Sequence, residues 1–354
     1  MSELRIISKY LKKALTSPRE LRLYDLWMRI LRGIYLKYQK TYNYKVKDVF
    51  FVDNRSKSKV TVLLLAGKYH FLWDITFRRM YEYSSGYDVI VVNPGGLNRE
   101  KALSLVKEFG WSYFESYPAL LEAAENYVIH NLVESPLVIK VDDDIFITNH
   151  TFPKLISGYK RIAECGAEIG FVAPVLNVNT ISYYYFLQTL DLTEQYSHLF
   201  EDPMIFRNWK KQMIWYDGRT AEWIWEHSLP LNDISEIFAE RNRDSFVPIP
   251  TRFSIGLILF EREFFEQTLG FFATFPKVKL TVKNHKASSG SNLKIPLFPD
   301  IDEASINFYS DWSHRGRFLI LDAFAGHFSY FPQTEHMKKW YEKNKERLIR
   351  DIKG

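Results

Sequence analysis

Three consecutive aspartates, Asp142, Asp143 and Asp144, are the residues of this sequence best suited to chemistry. They follow the mostly apolar run VIKV, so a buried strand leads directly into a cluster of like charges that repel one another. Side chains alternate along an extended chain, which predicts that Asp142 and Asp144 lie on one side and Asp143 on the other. Two carboxylates on one side suit a hard divalent cation, whose remaining coordination positions suit phosphate oxygens.

An alternating series of strands and helices leads up to the aspartates. Strands are predicted at 59–67, 87–96, 111–116 and 136–141, and helices at 70–83, 99–110 and 118–134. Gly110 is expected to stop the second helix, and Pro118 is expected in the first turn of the third. This order predicts an α/β fold in which a parallel sheet carries helices on its faces. Ligands of such sheets bind beyond the carboxyl ends of the strands, where the aspartates lie.

The segment VIKVDDDIF resembles the K-[TL]-D-[DE]-D-[IV]-F form of the D-x-D motif of the GT-A fold glycosyltransferases, which use nucleotide-sugar donors. Asn126 resembles an asparagine that family 2 members carry on the helix feeding the motif strand. The stretch PDIDEASINFYSDW (299–312) resembles the acidic pair that opens a late helix, and FLILDAFAGHFSY (318–330) resembles the closing strand with its histidine. The similarity covers residues 59–330 and implies a Rossmann-like, mostly parallel central sheet flanked by helices.

The resemblance implies a metal site at the aspartates. Asp144 would coordinate Mn2+ or Mg2+, Asp142 would contact the ribose or share the metal, and His327 would be a further ligand. Asp143 would bind the metal through water or support its neighbours. The metal would bridge the diphosphate and neutralise the leaving nucleoside diphosphate.

The resemblance also implies a general base at Asp302 or Glu303, which would deprotonate the acceptor hydroxyl as it attacks the anomeric carbon. That arrangement implies inversion. The family's usual order is Glu-Asp and this chain has Asp-Glu, so the identity of the base stays open. Asp302 could instead be a helix N-cap with Glu303 in the first turn. Asp217 and Glu222 are rival candidates for the base.

Donor contacts are expected at the ends of the first strands, where these enzymes hold the base and the ribose. The residues expected to bind the donor are Gly67, Lys68, Asp74, Asn93, Asn126, Asp142 and Asp143. Ordinary turn chemistry is the alternative interpretation for the glycines that follow these strands.

The resemblance divides the catalytic domain, 48–335, into a nucleotide-binding half at 48–150 and an acceptor-binding half at 151–335. The segment 180–252 is rich in tyrosine and tryptophan, whose rings stack on the apolar faces of sugars; most of them are expected in the core and a few at the acceptor. The polar stretch 283–294 is expected to be a loop that closes over the donor. A C-terminal helix is expected at 336–354.

Residues 1–47 form a separate basic extension. They hold 12 Lys/Arg and 3 Asp/Glu, a net charge of +9, whereas the whole chain carries +5, which leaves −4 for the remainder. This distribution argues against nucleic-acid binding by the main domain. A helix is predicted at 17–40, beginning with Ser17 and Pro18. It would pack on the main domain, lie on an anionic membrane surface, or both.

The composition predicts a cytosolic protein, in part peripheral on the inner face of the cytoplasmic membrane. Cys165 is the single cysteine, which excludes an internal disulfide, and no apolar run is long enough for a transmembrane helix. The absence of an anchor fits a bacterial cell-surface polysaccharide enzyme.

These features together predict a metal-dependent glycosyltransferase that moves a sugar from a nucleotide donor, a UDP-sugar, to a glycan or lipid-linked acceptor. A sugar nucleotidyltransferase is one alternative, but LLAGK (64–68) departs from that family's L-A-G-G-x-G-x-R motif after its first glycine. A non-catalytic domain that binds sugar or a partner is the other alternative.

Overall fold

The computed structural model describes residues 46–117, 119–204, 211–267, 270–271 and 301–352, without the side chains of 301 and 312. The strands are β1 (Lys47–Val52), β2 (Val60–Leu65), β3 (Asp88–Val92), β4 (Ser112–Tyr117), β5 (Leu137–Val141), β6 (Ile145–Ile147), β7 (Ile169–Leu176), β8 (Phe246–Pro248), β9 (Leu257–Glu261) and β10 (Gly316–His327). The helices are α1 (Trp73–Tyr83), α2 (Arg99–Phe109), α3 (Leu121–Asn131), α4 (Thr151–Glu164), α5 (Ser182–Thr189), α6 (Thr193–Leu199), α7 (Met213–Tyr216), α8 (Gly218–Glu226), α9 (Leu231–Arg241), α10 (Arg262–Gln267), α11 (Ile301–Trp312) and α12 (Thr334–Arg350), with a 3-10 turn at Phe331–Gln333. Among these helices, none combines the length and the apolar character that a bilayer crossing requires. The helix predicted at 17–40, the loop at 283–294 and Pro118 lie outside the described residues.

One sheet runs through both halves of the chain. Its strand order is β1-β4-β3-β2-β5-β9-β7-β10-β6, with β8 on β10. The four predicted strands, β2 to β5, are parallel neighbours in the order β4-β3-β2-β5. Strand β9 then inserts antiparallel between β5 and β7, and β10 is parallel to β7 and antiparallel to β6. The predicted α/β class, a central sheet flanked by helices, is confirmed.

The sheet is buried on both faces, because its strands are apolar at successive positions. Leu63 and Leu65 of β2 belong to one core cluster, and Val62 and Leu64 belong to the other. Helices α3, α5, α8, α9 and α12 contribute to the first cluster, and α1, α2 and α4 to the second. A parallel sheet covered in this way leaves only strand ends and connecting loops for ligands.

A buried arginine ties the C-terminal helix to the sheet layer. Arg79 of α1 is fully buried and donates to the carbonyl of Ile147 at 2.6 Å, to Asn232 at 3.0 Å and to the Asp351 carboxylate at 3.0 Å. The same carboxylate accepts the N–H of Leu231 at 3.1 Å. Every charge in this cluster therefore has a partner, as buried ions require.

The predicted element boundaries hold to within a few residues. Helix α2 ends at Gly110, which adopts φ 69° and donates its N–H to the carbonyl of Val106, as its stop role predicts. Helix α12 runs over Thr334–Arg350, close to the predicted C-terminal helix. In the aromatic segment, Tyr183 and Trp225 are fully buried core residues, whereas Tyr216 is exposed.

Candidate functional site

The three aspartates lie in a tight turn between β5 and β6. The N–H of Ile145 donates to the carbonyl of Asp142 at 3.2 Å, which closes the turn. The extended geometry on which the predicted side-chain alternation rested therefore ends at Val141. Each of the three carboxylates has its own partners, and the placement of Asp142 and Asp144 on one side stays a prediction.

Asp143 anchors the loop that follows β2. One of its carboxylate oxygens accepts the N–H groups of Gly67 at 2.9 Å and Tyr69 at 3.1 Å and the indole N–H of Trp73 at 2.9 Å. Burial raises the pKa of Asp143 to about 7, against the lowering effect of these donors. Asp143 supports its neighbours, which is one of the two roles expected for it.

Asp144 and His327 face each other because β6 and β10 are antiparallel neighbours. His327 pairs with Ile145, the residue after Asp144, and the N–H of Phe328 donates to the carbonyl of Asp144 at 2.9 Å. The Nε2 atom of His327 lies 3.5 Å from the Asp144 carboxylate. On the other side of the ring, Nδ1 contacts the carbonyl of Val178, which fixes the ring orientation. Burial opposes charging of His327, but Asp144, the Val178 carbonyl and Asp142 together outweigh it and the pKa of His327 is raised.

Lys140 joins Asp142 to Asp302. It precedes Asp142 by two residues near the end of β5, and it is almost fully buried. Its ammonium nitrogen lies 2.6 Å from Asp142 and 3.4 Å from Asp302 of α11. It also donates to the carbonyl of Ile255 at 3.4 Å. Burial alone would lower the pKa of Lys140, but the carboxylates raise it above its usual value.

The loop before β9 holds this arrangement in place. The N–H of Asp142 donates to the carbonyl of Gly256 at 2.8 Å. Asn307 of α11 exchanges hydrogen bonds of 2.9 and 3.0 Å with the backbone of Phe253. The loop thus links the aspartate turn to the helix that carries Asp302.

Two further acids from α3 belong to the cluster, and neither was predicted. Glu125 is fully buried, and among the described residues neither of its carboxylate oxygens has a hydrogen-bond partner. Burial raises its pKa well above the usual value, and the charges of Lys140, Asp302 and Asp142 also act on it. Glu122, one turn earlier, has its pKa raised to about 7 by burial and by Asp302. Their spacing of three residues on a predicted helix, next to Asn126, was the available sequence signal.

The other candidate bases are engaged elsewhere. Glu303 forms an ion pair with Arg252 at 2.5 Å. Asp217 caps α8 by accepting the N–H of Arg219, and Glu222 lies 2.5 Å from His336. Asp302 is therefore the acid of the predicted pair that the structure places beside the aspartate turn.

The remaining predicted donor contacts are dispersed. Lys68 is exposed, and Asp74 forms an ion pair with Lys101 at 2.9 Å. Asn93 is buried and donates to Leu97 and Tyr113. The amide of Asn126 exchanges hydrogen bonds of 2.7 and 2.8 Å with the backbone of Phe271. Of the predicted set, Asp142, Asp144, His327 and Asp302 gather around the aspartate turn, and Gly67 reaches it through Asp143.

The donor set fits a divalent metal only in part. Within the described ranges, no group of three or more His, Cys, Asp or Glu side chains has the spacing of a metal site. Asp144 and His327 offer an oxygen and a nitrogen to one ion, whereas Asp142 is held by Lys140. A carboxylate and an imidazole that is oriented by a backbone carbonyl are ligands that Mn2+ accepts.

No family model matches the chain. No curated protein matches it either.

One solved structure to which the chain is similar is the mannosyltransferase PcManGT from Pyrobaculum calidifontis, in complex with GDP-Man and Mn2+. The sequences are 14% identical, and the match covers 83% of this chain and 63% of that one, with a TM-score of 0.38. The chain thus spans less than two thirds of the length of that protein. A likeness of this size carries no argument about activity.

Proposed function

We propose that this protein is a metal-dependent glycosyltransferase of the GT-A type. It would move a sugar from a nucleotide-sugar donor, a UDP-sugar, to a hydroxyl of a glycan or lipid-linked acceptor. The observation that supports this most is one arrangement at the carboxyl edge of the parallel strands. There the Asp144–His327 pair, separated by 3.5 Å, adjoins the contact chain from Asp142 through Lys140 to Asp302.

In this proposal Asp144 and His327 hold the metal. When bound, the ion would neutralise the charge that develops on the leaving nucleoside diphosphate. Val178 keeps the imidazole ring in position, and Phe328 keeps the Asp144 backbone next to it. Both side chains are buried, and the low local dielectric would strengthen the attraction of the Asp144 carboxylate for a divalent cation.

Asp302 is the proposed base. Its carboxylate is 15% exposed, so an acceptor can reach it, and its Glu303 neighbour is occupied by Arg252. The acceptor oxygen would bond to the anomeric carbon as the bond from that carbon to the diphosphate breaks. The hydroxyl proton would pass to Asp302. A single displacement of this kind inverts the anomeric configuration, and the proposed pathway is synthesis of cell-surface polysaccharide.

Calorimetric titration of UDP and of GDP, with Mn2+ and then with chelator, tests the proposal. We expect metal-dependent binding of one nucleotide, followed by slow hydrolysis of the matching nucleotide-sugar. Asp144→Ala should weaken metal-dependent nucleotide binding at least about 100-fold, because it removes one of the two buried ligands. The folded state of the variant should persist by circular dichroism.

Asp53→Ala is the matched control, because Asp53 is an aspartate outside the site that pairs only with Arg55 nearby. Wild-type nucleotide binding in Asp144→Ala would overturn the metal assignment. Metal-dependent nucleotide binding without hydrolysis or transfer to any acceptor would favour a non-catalytic sugar-binding domain.

A further inference from the structure

The lysine beneath the aspartate turn is the least expected component of the site. Lys140 is 1% exposed and its ammonium group touches two carboxylates from different elements, Asp142 after β5 and Asp302 in α11. Among the described residues, no other cation lies within ion-pair distance of either acid. Lys140 is therefore the side chain that joins the carboxylate of the proposed base directly to that of the motif.

The charge balance around Lys140 is strongly unequal. The carboxylates of Asp142, Asp302, Glu122 and Glu125 all act on a single ammonium group. Glu125 is completely buried, and the part of the chain that the structure describes supplies no hydrogen-bond partner for either of its oxygens. A cluster optimised for stability alone would satisfy such a group, because an unpaired buried carboxylate is costly. The excess of acidic side chains over cations among the described residues indicates that Lys140 is held in place for a purpose other than packing.

We propose that Lys140 is a positioning residue for the transfer reaction, with its ammonium group holding Asp302 at the aspartate turn in the orientation that receives the acceptor proton. This inference rests on the proposed function. In the same position the ammonium group pairs with Asp142 at 2.6 Å, so that carboxylate is not free to share a divalent cation with Asp144, and Lys140 also weakens metal binding. Loss of Lys140 should therefore lower kcat and raise the affinity for the metal. A residue with a merely structural role would lower both.

Lys140→Met tests the proposal, because methionine keeps the unbranched apolar stem and removes the charge. We expect kcat to fall on the order of 100-fold, since displacement of a catalytic group by about 1 Å has that effect. The KM for the donor should change less than about threefold, because Lys140 touches no donor-binding residue except Asp142. The affinity for Mn2+ alone, titrated as MnCl2 without nucleotide, should rise on the order of tenfold.

Two variants accompany this one. Lys140→Arg retains the charge and should keep the wild-type Mn2+ affinity while recovering part of kcat. Lys140→Gln also removes the charge and carries the same expectations as Lys140→Met if the methionine variant does not fold.

Lys154→Met is the matched control. Lys154 pairs with the buried Asp322 at 3.2 Å, five residues before His327 on β10. Its loss should lower the free energy of unfolding and leave both kcat and Mn2+ affinity unchanged.

The outcomes separate this inference from the proposed function. If the wild-type protein transfers sugar and Lys140→Met has unchanged kcat, or weaker Mn2+ binding, only the positioning role is overturned. If the wild-type protein shows neither metal-dependent nucleotide binding nor transfer, the proposed function and the inference fall together. Lower kcat with tighter Mn2+ binding supports the inference.

Discussion

Two buried cations in this protein have opposite surroundings. Arg79 is fully buried and pairs with one carboxylate, Asp351, while carbonyl oxygens of Ile147 and Asn232 accept its other N–H groups. Lys140 is equally buried but faces several acids, and the side chain of the nearby Glu125 has no hydrogen-bond partner within the described ranges. The first cluster is balanced in charge and hydrogen bonding, and the second is not.

The difference between the Arg79 and Lys140 clusters indicates different roles for the two buried cations. A balanced ion pair that joins three elements serves the fold, because removal of one member leaves the other uncompensated. An unbalanced cluster at the carboxyl edge of a parallel sheet fits the proposed function, in which a ligand would complete it. The same comparison predicts which substitutions should affect stability and which should affect chemistry.

The largest effect on stability is expected for Arg79→Met. It leaves the Asp351 carboxylate, 6% exposed, without its cation and should lower the free energy of unfolding by about 3–5 kcal/mol in urea titration. Metal and nucleotide affinity of the remaining folded protein should be unchanged. Arg78→Met is the control, since Arg78 is 53% exposed and pairs with Glu108 at 3.7 Å. Loss of nucleotide binding with little loss of stability would contradict the assignment of the Arg79 cluster to the fold.

An intermediate effect on stability is expected for Asp143→Ala, which tests whether this aspartate of the turn supports the fold or binds a ligand. The substitution removes the acceptor of three N–H groups and should lower the free energy of unfolding by about 3 kcal/mol. Asp88→Ala is a matched control at the start of β3, where a buried carboxylate accepts the N–H groups of Ser56 and Ser58 at 2.7 and 2.8 Å. Similar losses of unfolding free energy in both variants would indicate that Asp143 serves the fold. A selective loss of Mn2+ binding at full stability would instead make Asp143 a ligand.

The smallest effect is expected for Glu122→Gln and depends on pH. The pKa of Glu122 is raised to about 7 in the folded state, above its usual 4.5. Between these values the unfolded chain releases the proton and the folded protein keeps it, so stability falls as pH rises. Glutamine removes this dependence. The variant should match the wild type at pH 4 and exceed it by about 2 kcal/mol at pH 8, after discounting for partial exposure.

Urea titrations at both pH values measure this difference. Glu134→Gln is the control, because the Glu134 side chain is 62% exposed. Equal pH dependence in the wild type and Glu122→Gln would show that Glu122 is not desolvated, which would weaken the contrast between the two clusters.

The parallel half of the fold was predictable because its strands are short, continuous apolar runs separated by helices. Strands β2, β3 and β5 read directly from VTVLLL, DVIVV and LVIKV. The antiparallel insertion of β9 between β5 and β7 was not predictable, since it depends on a partner more than 100 residues away in the chain. Order along the sequence does not specify order across a sheet.

The sequence predicted which residue types form the site, but it did not predict how they are arranged. Asp142, Asp144, Asp302 and His327 could be identified from the motifs, and the structure brings them together. The turn at Asp142 could not be read from the sequence, because VIKVDDDIF is compatible with a strand that continues. Lys140 was visible in the same motif but its burial was not, since burial follows from the strands and loops that cover it.

The Arg79–Asp351 pair has a consequence for biosynthesis. Its two residues are 272 positions apart in the chain. During translation, a nascent chain that has not yet reached residue 351 carries the Arg79 guanidinium in α1 without its carboxylate. The buried Arg79 guanidinium therefore gains its carboxylate only after the ribosome has added α12 and residue 351, so the layer around α1 is completed late in synthesis.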